Sequence, residues 1–136
     1  MPRFIPGIAA PAAICLCFLL PCCGPRDTHE QIMDDTLGLM EQLAGFLEKA
    51  RDANSASQAV DGIKKLGPEF DKIADRSRAV GKPAGDVAQD LQKKFDSRRT
   101  QVLQRINAAT EQARALKEAA LLEALEAIGK SWSAIS

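Results

Sequence analysis

Apolar residues fall at helical spacing in three successive stretches of this chain, and nowhere do they alternate over a length that would make a strand. The longest stretch runs from Asp86 to Ile128, 43 residues without Gly or Pro. Val87, Leu91, Phe95, Val102, Ile106, Ala109, Ala113, Leu116 and Ala120 lay one stripe along it at mostly three-and-four spacing. Leu121, Leu125 and Ile128 widen the stripe near the end. Asp86 with Gln89 reads as a capping box, and Gly129 as a C-terminal stop. One straight helix of this length reaches roughly 60 Å, too long for one small bundle. It either protrudes to meet a partner or folds back as a hairpin. The weakest points are Ser97 to Gln101, where the stripe lacks an apolar residue, and Asn107. Neither carries a turn signal.

Two shorter stretches precede it. Thr28 with Gln31 reads as a capping box opening the first. Ile32, Thr36, Leu39, Leu43, Phe46 and Ala50 form its face, broadened by Met33, Leu37, Met40 and Leu47. Gly38 and Gly45 either weaken this helix or let another approach closely. Ser55 with Gln58 is expected to open the second, whose face is Val60, Ile63, Leu66, Phe70, Ile73, Ser77 and Val80. Gly67-Pro68 predicts a kink, or two short helices. The loops fall near residues 53–55 and 81–85. Short loops make sequential helices antiparallel neighbours. The expected fold is therefore all-α: an antiparallel up-down bundle of three helices with a long third helix, or of four if the third bends. The bundle spans residues 28–129, and 130–136 is a polar tail in which Trp132 either packs back or stays loose.

Charge changes the picture by exclusion. The 136 residues carry 18 basic and 18 acidic side chains, a formal net charge of zero. That argues against a nucleic-acid partner, which selects a basic surplus. Lys93-Lys94 and Arg98-Arg99, and the carboxylates Glu30, Asp34, Asp35 and Glu41, read as solvated helix faces. Aromatics are five Phe and one Trp, so the core must be aliphatic and rich in Ala.

The start of the chain is different in kind. Arg3 is the only charged residue before a run of about 16 uncharged residues from Ile8 to Cys23. That is short for a membrane span and right for a signal peptide. All four cysteines lie in or beside it, so they do not staple the body. Leu19-Leu20-Pro21-Cys22-Cys23-Gly24 resembles the lipobox of bacterial lipoproteins. The resemblance implies cleavage, and a diacylated cysteine as mature N-terminus. Leu19 suits Cys22 as that residue, and Leu20 suits Cys23. Pro21 stands where the family has Gly or Ala before Cys22, and Cys22 stands there before Cys23. Residues 1–22 then form the leader and 23–27 a tether. A lipid anchor facing the periplasm of a bacterial envelope follows; cleavage without lipid would give a secreted protein.

No catalytic, metal or cofactor site is expected. His29 is the only histidine, and no Glu-x-x-His pair faces another across the helices. Glu48 to Leu66, EKARDANSASQAVDGIKKL, resembles the first loop and second-helix start of periplasmic cytochrome b562-type bundles. That family holds haem between a Met in the first helix and a His in the last. Met33 or Met40 matches the Met position, but the long segment has no His. The resemblance therefore implies the fold without the haem, and the Met residues are expected in the core. The leading expectation is a non-enzymatic envelope protein with a structural or interaction role. An envelope protein or a second copy of the chain would cover the exposed half of the long helix. The alternative is a carrier or sensor of a small apolar ligand held between the helices.

Overall fold

The structure, a computed structural model, describes residues 27–133. The leader, Cys22 and Cys23 lie outside the described residues. Among the described residues four helices follow one another: α1 (His29–Lys49), α2 (Ala53–Val80), α3 (Gly85–Leu116) and α4 (Ala119–Ser133). Together they make an all-helical bundle. Among the described residues no helix is long and apolar enough to cross a membrane.

Each helix starts where its first free N–H groups find an acceptor. Thr28 caps α1 as expected: Gln31 N donates to Thr28 Oγ1 at 3.2 Å, and Thr28 N donates back to Gln31 Oε1 at 3.0 Å. The start of α2 differs from expectation. Asp52, not Ser55, is the cap, and Ser55 supplies the reciprocal bond: Ser55 N donates to Asp52 Oδ1 at 2.8 Å and Asp52 N to Ser55 Oγ at 3.0 Å. A carboxylate at the helix start answers the dipole as well as the free amides. Bonding to the Ser55 backbone and hydroxyl holds the Asp52 carboxyl below its ordinary range. The box expected from Asp86 and Gln89 does not form. α3 starts at Gly85 behind Ala84, with no side-chain cap.

Pro68 does not end α2, which runs through it as one helix. Pro68 and Lys64 are both exposed, so the carbonyl that loses its donor lies on the water side. The long stretch breaks, but neither at 97–101 nor at Asn107. α3 ends at Leu116, Lys117 takes a left-handed conformation (φ 56°), and α4 begins at Ala119. α4 then runs past Gly129 to Ser133, so much of the expected tail is helix. The break lets α4 fold back and bury Leu121, Ala124 and Ile128, which a straight rod would leave in water.

The packing order is α3–α1–α2–α4, with α3 and α4 touching only slightly. α1 and α3 run parallel, because Glu30, Asp34 and Glu48 meet Lys94, Arg98 and Arg105 in that order. The expectation that sequential helices are neighbours holds for α1 with α2 but not for α2 with α3. The linker between those two crosses the start of α1, where His29 Nε2 lies 3.0 Å from the Gly81 carbonyl oxygen. Gly81 makes the turn with φ +79°, a conformation L side chains rarely adopt.

The core is mostly aliphatic, with Leu37, Leu47, Ile63 and Leu121 fully buried around the one fully buried aromatic ring among the described residues, Phe70. Neither Gly38 nor Gly45 is a close-approach site, since a Cβ on either would meet nothing. The close approach is at Gly62, where a Cβ would lie 2.5 Å from the Phe46 ring of α1.

Candidate functional site

Two features of α3 stand out: a charged seam along α1 and an open cleft facing α4. The seam occupies the stretch where the apolar stripe lapses. Arg98 takes the expected apolar place between Phe95 and Val102, and its stem packs half-buried while the guanidinium reaches out. Its Nε donates to Glu41 Oε1 at 2.7 Å and its Nη2 to Glu41 Oε2 at 3.2 Å, a two-pronged pair; Nη1 reaches Asp34. Arg105 forks onto both oxygens of Glu48 at 2.8 Å, and Lys94 meets Glu30 at 2.6 Å. On the other side of α1, Arg76 of α2 holds Asp27 and Asp35, each at 2.7 Å. The carboxylates of α1 are thus not simply a solvated face. Hydrogen bonds from Arg98 and Arg105 hold the Glu41 and Glu48 carboxyls below their ordinary range, and the same bonds raise both arginines further.

The cleft lies where α3 and α4 diverge. Its volume is about 550 Å³. Met40 and Leu43 of α1 and Phe70 of α2 form the floor. Leu103, Ile106 and Thr110 of α3 face Leu122, Leu125 and Ile128 of α4 across it. Trp132 closes one end, its ring edge-on to Phe70 with centroids 5.9 Å apart. Arg114 and Glu126 stand at the rim, each already paired on its own helix, with Glu111 and Lys130 respectively. Leu122 is 37% exposed at this edge. A half-open apolar space of this size, with a few polar groups at its edge, is the ordinary form of a small-molecule site.

No line of chemistry converges there. Among the described residues no group of three His, Cys, Asp or Glu is placed to hold a metal. The residues do not fit a haem either. Met40 lines the cleft, but His29 sits at the start of α1, about 16 Å along the axis. Comparison of the chain with protein-family models, with curated proteins and with solved structures finds no match.

Of the cleft residues, sequence reasoning singled out only Met40, and only as the match to a haem-ligand position that no His completes. Leu103, Leu122 and Leu125 flank the main stripe rather than lie on it. That off-stripe width, beside the small Ala109 and Ala113, was the available signal.

Proposed function

We propose that this chain is a non-enzymatic, lipid-anchored protein of a bacterial envelope whose helical domain takes up a small apolar ligand between α3 and α4. The cleft carries the ligand half of this reading. The core that closes around fully buried Leu37, Leu47, Ile63 and Leu121 gives way here to an open space of about 550 Å³. The ligand is expected to be an uncharged or amphiphilic hydrocarbon, since the floor offers only aliphatic, thioether and aromatic surface.

Titration with N-phenyl-1-naphthylamine, a neutral apolar fluorophore, tests this. Trp132 lies at the cleft and is the only Trp in a chain without Tyr, so its emission reports occupancy directly. The expected result is saturable one-to-one quenching, abolished by Gly129→Leu. Gly129 lines the cleft and a Cβ there meets nothing within 4 Å, so the added side chain starts in open space, and an unchanged urea midpoint shows that the variant's core is intact. Absence of saturable uptake by the folded protein would overturn the ligand reading.

The anchor half rests on the Leu19–Gly24 resemblance alone. The intact mass of protein extracted from membranes tests it: cleavage before Cys22 or Cys23 with added acyl mass is expected. Cleavage without acyl mass would make the protein a secreted one, and an intact leader would make residues 8–23 an anchor. A single acyl chain holds a protein only marginally to a bilayer, so a second chain is part of the expectation.

A further inference from the structure

We propose that α4 exchanges between two copies of this chain about Lys117, producing a dimer in which residues 85–133 form one continuous helix. Four observations converge. First, the hinge is two residues long, and Lys117 holds a left-handed backbone without being glycine. Second, everything around it favours helix: Asp86 to Ile128 contains no Gly or Pro, and Arg114 to Leu121 is built of strong helix formers. Third, the stripe runs through the hinge in step, at Ala109, Ala113, Leu116, Ala120 and Ala124. Fourth, α4 docks on α2 and hardly touches the helix it is joined to.

The fourth observation decides the partner. Straightening Lys117 and Glu118 relieves the strained turn and costs little α3–α4 packing. It strips Leu121, Ala124 and Ile128 from α2 and uncovers the α2 surface around Ile63 and Phe70. The segment that fits that surface is another α4. A second copy, related by a twofold axis at the hinge, rebuilds the same interface in trans on both sides. Short strained hinges favour this exchange. The inference does not rest on the cleft being a ligand site, because each exchanged α4 faces α3 of the copy it joins.

The test mixes full-length chains of natural and heavy-nitrogen isotope composition, refolded together and cross-linked between Lys64 and Lys130. Lys64 of α2 and Ser131 of α4, next to Lys130, line one shallow groove. A light-scattering dimer giving mixed-isotope Lys64–Lys130 products is expected. The double variant Lys117→Ala, Glu118→Ala should raise the dimer fraction several-fold, and Lys117→Gly should lower it. A dimer whose Lys64–Lys130 products are all single-isotope would overturn the proposal. So would a chain that stays monomeric at high micromolar concentration, or a rise in dimer with Lys117→Gly.

Discussion

α3 is bordered by two seams that share its length but not its construction. Toward α1 it sends Leu91, Phe95 and Val102 into the core and flanks them with Lys94, Arg98 and Arg105, each on a carboxylate of α1. Toward α4 it offers Leu103 and Ile106 to a gap, and the rim charges Arg114 and Glu126 pair within their own helices. The difference shows how cross-helix charge assigns neighbours. Apolar stripes tell a helix which face to bury, but Ala-rich stripes accept several partners. Complementary charges flanking the stripe select one of them. On this account α3 lies beside α1 because acid and base match there in register, and nothing comparable ties α3 to α4.

Truncation gives the widest separation between the two seams. Phe95→Ala, in the α1 seam, should cost about 3–5 kcal/mol in urea unfolding, because Phe95 is buried in the core. Leu103→Ala, at the cleft wall, should cost well under that. Equal costs would mean the cleft is closed in solution.

Removing the clamp is the next largest effect. Arg98→Ala should cost about 1 kcal/mol, the upper range for half-exposed pairs, and the loss should shrink in high salt. Arg98→Lys should recover only part of it, because an ammonium cannot fork onto both oxygens of Glu41.

Gly129→Ala should act in the opposite direction. It sits inside α4, where a Cβ meets nothing, so the change should stabilise by about 0.5–1 kcal/mol. Destabilisation would mean that the cleft wall is packed against something.

Acid gives the smallest effect. The carboxyls of Glu41 and Glu48 are held below their ordinary 4.5, so the unfolded chain binds protons first as pH falls. Their contribution is complete above about pH 4.5 and is lost as pH drops through the lowered folded values. Unfolding midpoints measured from pH 6 to pH 2 should show this loss, and a double Arg98→Ala, Arg105→Ala variant should flatten it.

The bundle was largely legible in the sequence, and the site was not. Periodicity placed Ile32, Leu43, Ile63, Phe70, Leu91 and Val102 on buried faces, and the Thr28 cap was readable from residue type. The turn at Lys117 escaped notice because no glycine marks it and the stripe continues through it. The packing order escaped because a four-residue linker permits a crossing as readily as a hairpin, and only the charges of α1 and α3 decide between them. The lapse at Arg98 looked like a weak point because stripe counting scores an arginine as missing. Its ion pairs depend on residues 57 and 64 positions away. The cleft is an absence of packing between two segments, and single-helix patterns record of it only the off-stripe width at Leu103, Leu122 and Leu125.

Trp132 fluorescence tests most directly whether α4 folds back onto α2. In dilute folded protein the emission should be blue-shifted from that of the unfolded chain and protected from acrylamide, with a change on Phe70→Leu. Both protections should be lost together with the far-ultraviolet helix signal on unfolding. Emission and quenching equal to those of the unfolded chain, with the helix signal intact, would contradict the account.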